Sequence, residues 1–172
     1  MTLSSEEMKW LSEAFRNIGL FSICSVSEIR EIMSVVAEKH FERGDRIIKQ
    51  GDLGDFFFII GQGDVSVWAG EGRSADKKIA ELKDGDFFGE IALLTGHSRN
   101  ATIVAETHCH VFMIYRNDFL GMLSRNPELE IKFLKDVEKR VAERSFILGQ
   151  TKEGLRDKIA KLFGPKKKEG KK

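Results

Sequence analysis

Two charged residues nine positions apart, Glu90 and Arg99, carry the clearest chemistry in the sequence. No other formal charge lies between them, although Lys, Arg, Asp and Glu make up 32% of the chain. A guanidinium presents a planar fork of donors that fits two oxygens of a phosphate. A carboxylate at neutral pH only accepts hydrogen bonds, so it suits a hydroxyl group such as that of a sugar. The pair therefore predicts a binding site for a sugar phosphate.

The segment around this pair, residues 88–105, predicts a short helix inserted between two strands. Gly89 lets the backbone turn out of the first strand, and the alanine and leucines that follow favour a helix. The start of such a helix presents backbone N–H groups and the positive end of its dipole, which favour a phosphate oxygen. We expect Arg99, at the beginning of the returning strand, to point into the same concavity.

The rest of the chain divides into zones that would hold this segment in place. Helical spacing of apolar residues predicts helices before and after a middle zone of short strands, which Gly and Asp turns separate. We therefore predict an α+β fold, mainly β: an antiparallel β-roll (a double-stranded β-helix, jelly-roll-like) flanked by N- and C-terminal helices. The predicted boundaries are 1–38 for the N-terminal helical segment, 39–116 for the β-roll, 117–148 for hinge and lid helices, and 149–172 for a C-terminal helix and basic tail.

Apolar patterning predicts which faces of these elements are buried. Residues 56–60 are apolar throughout, which predicts a strand covered on both sides, whereas residues 64–68 alternate and predict one buried and one solvent-facing side. A helix is predicted to begin near Ser27 and to carry its apolar stripe as far as Ala37. A later helix over 128–148 has a stripe that either buries against the roll or forms the seam of a homodimer. The residues of that stripe are Ile131, Leu134, Val137, Val141 and Leu148.

Together these features resemble the cyclic nucleotide-binding domain family. The pattern FGE-x-AL-x(5)-R-x-AT-x-x-A at 88–105 is similar to the phosphate-binding cassette of that family, and the glycine-punctuated pattern at 44–67 is similar to the first half of its β-roll. The resemblance covers about residues 20–148. The family includes regulatory subunits of cyclic-AMP-dependent protein kinase, cyclic-nucleotide-gated channels and bacterial catabolite activators. The resemblance implies a sensor or regulatory module, not an enzyme, whose C-terminal helices change conformation when ligand binds.

The resemblance also implies ligand-binding roles for a short set of residues. They are Gly89, Glu90, Ile91, Ala92, Arg99, Asn100 and Ala101. By this resemblance Glu90 accepts the ribose 2′-OH with the Gly89 backbone assisting, and Arg99 pairs with the cyclic phosphate. Backbone N–H groups of Ala92 and Ala101 donate to the phosphate oxygens. The implied ligand is a cyclic nucleotide, and neither a catalytic cofactor nor a metal is expected.

Asn100 departs from the family pattern, and the choice of base depends on it. Many cyclic AMP (cAMP) binders of the family have Ala at this position. Kinases that prefer cyclic GMP (cGMP) have Thr, whose hydroxyl contacts the guanine amino group. An Asn side chain could accept from that amino group or bond the phosphate. The absence of Thr favours cAMP as the ligand, while cGMP and cyclic di-GMP stay open.

Three other interpretations fit parts of the pattern. Glu90 and Arg99 could form an ordinary surface ion pair, but such a pair does not require the Gly and Ala residues around it. The fold could also serve as a ligand-free structural or interaction domain, although family members of that kind commonly lack the arginine or the glutamate. His108 and His110 form an HxH motif that suits a cupin-like metal enzyme. The chain has no histidine after His110 and no acid at the cupin spacing, so we expect no metal and place both histidines on a solvent-facing strand side.

Composition argues against several other classes of protein. The net charge is +1, so no overall field attracts nucleic acid or anionic lipid. Two distant cysteines favour a reduced, cytoplasmic chain, and neither signal-peptide features nor a membrane-spanning apolar run is present in the sequence. We expect no DNA-binding domain, because about two dozen residues follow the long helix. The expected partner is an effector protein whose identity the sequence does not reveal.

Overall fold

The structure, a computed structural model, describes residues 15–70 and 77–148, together with Lys9, Ser12 and Glu13. Its strands are β1 (Val36–Phe41), β2 (Arg46–Ile48), β3 (Phe56–Gln62), β4 (Val65–Ala69), β5 (Lys77–Leu82), β6 (Phe87–Phe88), β7 (Thr102–Ala105) and β8 (Cys109–Tyr115). Its helices are α1 (Val26–Val35), α2 (Glu90–Thr95), α3 (Arg116–Arg125) and α4 (Pro127–Leu148), and a 3₁₀ turn covers Gly19–Phe21. The predicted C-terminal helix and basic tail at 149–172, and most of the first N-terminal helix, lie outside the described residues.

The described strands form two four-stranded sheets with the orders β1-β8-β3-β6 and β2-β7-β4-β5. The strand pairs in both sheets are antiparallel. Because α1 leads into the first strand and α3 and α4 follow the last, the predicted fold class of a β-roll between helices is confirmed. Helix α2 connects β6, at the edge of the first sheet, to β7, inside the second sheet. The 88–105 segment therefore crosses from one sheet to the other.

Strand β3 forms the wall between two hydrophobic cores, as its unbroken apolar sequence predicts. Phe57 and Ile59 belong to the cluster that packs against the helices. Phe58 and Ile60 belong to the cluster between the two sheets. All four side chains are at most 4% exposed. Since neighbouring side chains of a strand point to opposite faces, the prediction of a strand covered on both sides is confirmed.

Helix α1 begins at Val26, near Ser27 as predicted, and ends earlier than the sequence predicts. Its cap is Ser25, whose hydroxyl accepts from the Glu28 N–H at 3.3 Å while the Ser25 N–H donates to the Glu28 carboxylate at 2.7 Å. This reciprocal pair is a capping box. The chain becomes strand β1 at Val36, which is paired with Ile114 of β8. The prediction that the helical segment extends over 1–38 is therefore wrong at its end, because residues 36–38 are paired with β8 in the sheet.

Strand β4 is more covered on its outer side than its alternating sequence predicts. Ser66 is fully buried, and the partly exposed ring of Trp68 lies on the same side of the strand. The Trp68 Nε1–H donates to the Ser66 hydroxyl at 2.8 Å. The prediction of a solvent-facing side is correct for the partly exposed Trp68 and wrong for Ser66, because the indole covers the serine and supplies its hydrogen bond.

Helix α4 packs on the roll through an apolar stripe that agrees with the predicted one at Val137 but not at Ile131. Leu129, Phe133 and Val137 are at most 2% exposed and belong to the core that the helices share with β3 and β8. Ile131, which the spacing placed in the stripe, is 59% exposed. A homodimer through 128–148 stays a prediction. Among the helices in the described part of the chain, none is long and apolar enough to cross a membrane.

Candidate functional site

The residues that the family resemblance singles out surround one cavity between α2 and the second sheet. They are Gly89, Glu90, Ile91, Ala92, Arg99, Asn100 and Ala101. The cavity volume is about 30 Å³, whereas pockets that hold small molecules usually measure about 300–1,000 Å³. The structure thus brings the predicted residues together around a contracted space, while their individual roles stay predictions.

Arg99 is buried, with 4% of its surface exposed, and backbone carbonyls hold its guanidinium. Nη1 donates to the Gly89 carbonyl at 3.1 Å, and Nη2 donates to the Phe56 carbonyl at 2.8 Å. The guanidinium carbon also lies 5.4 Å from the centre of the Phe58 ring. Within the described residues these bonds use two of its five N–H donors. The burial of Arg99 argues against an ordinary surface ion pair with Glu90. It is consistent with a role for Arg99 in binding an anion.

Two glycines leave the space that the Arg99 side chain occupies. A Cβ on Gly54 would lie 2.4 Å from the Arg99 Cζ atom, and a Cβ on Gly89 would lie 2.6 Å from Nη1. Gly89 also has a φ of +84°, a left-handed conformation that residues with a side chain rarely adopt. The sequence predicts the turn at Gly89. It does not predict the contact of Gly54, which comes from a loop distant in sequence.

The loop that precedes β3 fixes the Arg99 backbone and places negative charge nearby. The Arg99 N–H donates to the Asp52 carbonyl at 2.7 Å, and the Gly51 N–H donates to the Arg99 carbonyl at 2.7 Å. Burial lowers the pKa of Arg99, while the negative charges of Glu90, Asp55 and Asp52 act to raise this pKa. A guanidinium stays protonated in proteins. The cavity therefore keeps a buried cation at neutral pH.

Glu90 is the first residue of α2 and is also buried, with 4% of its surface exposed. Gly89, in the left-handed conformation, turns the chain from β6 into this helix and directs Glu90 into the cavity lining. Within the described residues no donor is hydrogen-bonded to the Glu90 carboxylate. The carboxylate is thus an acceptor available to a hydroxyl group.

The side-chain nitrogen of Asn100 is buried and has no hydrogen-bond partner among the described residues. Asn100 also lines the cavity, next to Arg99. A buried donor without an acceptor costs about 1–3 kcal/mol, and such atoms are rare in native proteins. This unmatched donor points to a ligand that brings an acceptor atom into the cavity.

The apolar wall of the cavity comes from residues that the sequence analysis did not assign to the site. They are Ile48, Val67, Ile79, Phe88 and Ile103. Each belongs to a different strand, from β2 to β7, so their meeting depends on how the sheets are folded. Alternation within β4 and β7 is the one sequence signal that indicates inward-facing residues there. A charged end beside an apolar wall suits a ligand with one anionic and one flat apolar part.

Two arginines connect this segment to the C-terminal helices. Arg116, the first residue of α3 and one position before the predicted lid boundary, donates Nε–H to the Leu93 carbonyl of α2 at 2.8 Å. Arg140 of α4 donates to the Phe87 carbonyl and lies 3.3 Å from the Asp86 carboxylate. Its guanidinium carbon lies 3.8 Å from the centre of the Phe87 ring. Movement of α2 or β6 would therefore change contacts of both C-terminal helices.

The two histidines of the HxH motif lie in different environments. His108 is exposed, whereas His110 is buried with 9% of its surface exposed. The Nε2 atom of His110 lies 3.0 Å from an oxygen of Glu38 on β1. The prediction that both histidines face solvent is therefore wrong for His110, because the neighbouring strand covers it and supplies a polar partner.

Comparison with known proteins gives a consistent result. Residues 38–126 match the family model of the cyclic nucleotide-binding domain. A cAMP-dependent protein kinase regulatory subunit of Dictyostelium discoideum is 29% identical over 77% of this chain and 42% of that protein. Isozyme 2 of the cGMP-dependent protein kinase of Drosophila melanogaster is 34% identical over 71% of this chain and 13% of that protein.

A solved structure adds a third comparison. The regulatory subunit of a cAMP-independent protein kinase A from Trypanosoma brucei superposes with a TM-score of 0.69 and 27% sequence identity. The match covers 78% of this chain and 48% of that one. The chain thus spans less than half the length of each of these three proteins.

Proposed function

Because this chain belongs to the cyclic nucleotide-binding domain family, we propose that it acts as a regulatory module that binds cAMP in the cavity beside α2. One observation carries the proposal: buried Arg99 and Glu90 share that cavity with the amide nitrogen of Asn100, which has no hydrogen-bond partner in the described part of the chain. The three side chains offer a cation, an acceptor and an unused donor within one small space. A ribose cyclic phosphate requires this combination.

Arg99 is the proposed partner of the cyclic phosphate. Each terminal nitrogen of its guanidinium carries two hydrogens, and one hydrogen of each is used by a protein carbonyl. The second hydrogens remain for phosphate oxygens, in charge-assisted bonds that burial strengthens. The backbone N–H groups of Ala92 and Ala101, two other residues of the cavity lining, are proposed to complete the set of donors.

Glu90 is the proposed acceptor for the ribose 2′-OH, with the Gly89 backbone assisting. Its negative charge repels a phosphate, so the ligand is oriented with its phosphate toward Arg99 and its sugar hydroxyl toward Glu90. The apolar wall of the cavity, which includes Ile48 and Val67, then faces the base. Ile91 lies at the start of α2 on the same cavity.

The preference for cAMP rests on Asn100. The relatives described above include a cAMP-dependent, a cGMP-dependent and a cAMP-independent kinase protein, so their names support a nucleotide-binding fold without deciding the base. A threonine hydroxyl would serve a guanine amino group, and this chain has none at position 100. Cyclic GMP and cyclic di-GMP are the competing ligands.

Ligand binding is proposed to move α2. A cavity of about 30 Å³ does not accommodate a nucleotide, so the bound state must be more open here. The contacts of Arg116 with α2 and of Arg140 with β6 would carry that displacement to α3 and α4, the proposed lid. The nucleotide can shift the equilibrium between the contracted and the more open state only to the extent that it binds the open state more tightly.

The proposed role is regulation rather than catalysis. The Dictyostelium relative is a regulatory subunit, and by analogy the change in α3 and α4 acts on an effector protein. The surface of α4 that carries the exposed Ile131 is a candidate contact for that effector or for a second copy of the chain.

Thermal unfolding with micromolar cAMP, cGMP and cyclic di-GMP tests the proposal. A ligand that binds the folded state raises the melting temperature by mass action, and we expect the largest increase with cAMP. Arg99→Lys keeps the charge but loses the planar fork, so it should lose most of the increase. The exposed Arg43 provides a matched control, Arg43→Lys, which should keep the full response.

A ligand-free interaction domain of the same fold is the second candidate function. Both terminal nitrogens of Arg99 already bond protein carbonyls, and the cavity is contracted. In that case the role of Arg99 would be structural: its hydrogen bonds to the Gly89 and Phe56 carbonyls would hold the start of α2 against β3. Arg99→Lys would then lower the melting temperature, and the folded wild-type protein would respond to none of the three nucleotides.

A further inference from the structure

Away from this cavity, the free edge of the first sheet carries a second group of polar side chains. β1 contributes Glu38 and His40, and β8 contributes His110; one potential ligand atom of each lies within 4.8 Å of the others. His40 and His110 are directly opposite in the antiparallel pair. Their rings are stacked with centroids 4.6 Å apart and planes at 5°. Since alternate residues of a strand share a face, Glu38 lies on the same side as His40.

We propose that Glu38, His40 and His110 bind a divalent transition-metal ion of the Zn²⁺ class. Two imidazole nitrogens and one carboxylate form a ligand set that suits Zn²⁺. Around a tetrahedral Zn²⁺ with bonds near 2.1 Å, donor atoms lie about 3.4 Å apart. His110 Nε2 and Glu38 Oε2 are already 3.0 Å apart, so the ion takes the place of the proton between them. Rotation of the exposed His40 ring out of its stack on His110 would complete the set.

Burial divides these three residues into one anchor and two adjustable ligands. The buried ring of His110 packs on Phe112, with centroids 4.7 Å apart, and its position is thereby fixed. Glu38 and His40 are exposed, so their side chains can rotate toward an ion that enters from solvent. A binding site needs both an orienting contact and an entry path, and this group has both.

Two further side chains flank the site. The His108 ring lies over the His40 ring with centroids 5.5 Å apart, and His108 Nε2 is 3.7 Å from an oxygen of Glu42. Three protein ligands leave the fourth tetrahedral position open. His108 is an additional imidazole close to this group, next to His40.

Sequence spacing does not reveal this group, because its ligands come from two strands. Glu38 and His110 are 72 residues apart, and pairing of β1 with β8 brings them together. None of the three proposed ligands lines the cavity beside α2. Ion binding is therefore independent of the proposed nucleotide site.

The proposal is tested by titrating the untagged full chain, freed of metal by a chelator, with Zn²⁺ in competition with a chromophoric chelator. We expect one Zn²⁺ per chain and no binding of Mg²⁺, which prefers oxygen ligands, at the same concentrations. Glu38→Gln and His40→Gln, both at exposed positions, should each weaken Zn²⁺ affinity at least about tenfold. His97→Gln changes a histidine outside the group and should leave the affinity unchanged.

Equal Zn²⁺ affinity in the wild type and in both variants would overturn the proposal, as would Zn²⁺ binding no tighter than Mg²⁺ binding. Co²⁺ substitution gives a second readout, because thiolate ligation produces a charge-transfer band. Such a band would place the ion at Cys24 or Cys109 and would equally overturn the assignment. Unfolding curves recorded in chelator show whether each variant is folded, and we expect both to fold because Glu38 and His40 are exposed.

Discussion

Gly89 and Arg99 are in direct contact: the Gly89 carbonyl accepts a hydrogen bond from Arg99 Nη1 at 3.1 Å, and a Cβ on Gly89 would lie 2.6 Å from that same nitrogen. The glycine thus has two roles. Its positive φ starts α2, and its missing side chain leaves the volume that the guanidinium fills. A glycine at position 89 is therefore required by the packing of Arg99 as well as by the backbone turn.

Replacing Gly89 by Ala should destabilise the protein more than replacing Gly85 by Ala. The two glycines have φ values of +84° and +82°, so both variants incur a similar backbone cost of about 1–2 kcal/mol. A Cβ on Gly85 meets nothing within 4 Å, whereas a Cβ on Gly89 meets Arg99. We expect an additional loss of about 1–3 kcal/mol for Gly89→Ala in chemical denaturation. Equal losses would mean that Arg99 moves aside without cost.

Gly54→Ala should weaken nucleotide binding because it displaces the Arg99 guanidinium. The φ of Gly54 is not in the left-handed region, so this variant changes the available space without backbone strain. Gly19→Ala, where a Cβ meets nothing within 4 Å, is the matched control. Calorimetric titration with cAMP should show at least about a tenfold loss of affinity for Gly54→Ala alone. Unchanged affinity would argue against Arg99 as the phosphate ligand.

Asn100→Ala should weaken nucleotide binding while leaving the ligand-free protein as stable as the wild type, or more stable. The substitution removes a buried donor that has no partner among the described residues, which relieves about 1–3 kcal/mol and offsets lost packing. Asn126→Ala is the contrasting variant. Its amide donates to Glu28 at 2.5 Å and accepts from the Leu129 N–H at 2.9 Å, so its loss should be destabilising. Similar destabilisation by both variants in thermal unfolding would contradict a ligand-directed role for Asn100.

Glu28 should make the stability of the protein depend on pH in the acidic range. Hydrogen bonds from Ser25 hold the pKa of Glu28 below its ordinary value of 4.5. Because the folded-state pKa is the lower one, this stabilisation is complete above the unfolded-state value and is lost as pH falls through the folded-state value. The free energies of unfolding of the wild type and Glu28→Gln should therefore differ at neutral pH and converge below about pH 4. A difference that persists unchanged at low pH would assign the effect to lost packing.

Features of the fold that depend on neighbouring residues in sequence could be predicted. The unbroken apolar run that includes Phe57 and Phe58 predicts a strand between two cores. The structure confirms this, because the two side chains belong to different core clusters. Alternation in β4 does not predict the burial of Ser66, because that burial depends on the conformation of the Trp68 side chain, whose indole covers the serine. The end of α1 was missed because the pairing of Val36 with β8 outweighs helical spacing.

The same distinction applies to the candidate site. The residues from Gly89 to Ala101 are close in sequence, so one pattern identifies them, and the structure places them around one cavity. The carbonyl of Phe56 and the space at Gly54 reach Arg99 from a separate loop and strand, and no spacing rule connects them. The contact of Arg140 with Phe87 likewise depends on how α4 packs against the roll.

The most direct test of the central claim is a calorimetric cycle that compares cAMP with 2′-deoxy-cAMP on the wild type and on Glu90→Gln. If Arg99 holds the phosphate and Glu90 holds the ribose hydroxyl, the wild type should bind cAMP about 10–150 times more tightly than the deoxy analogue, as expected for a hydrogen bond to a charged group. In Glu90→Gln that preference should largely disappear, while 2′-deoxy-cAMP binds with nearly wild-type affinity. An equal preference for cAMP in both proteins, or no binding of either nucleotide to the folded wild type, would contradict the account.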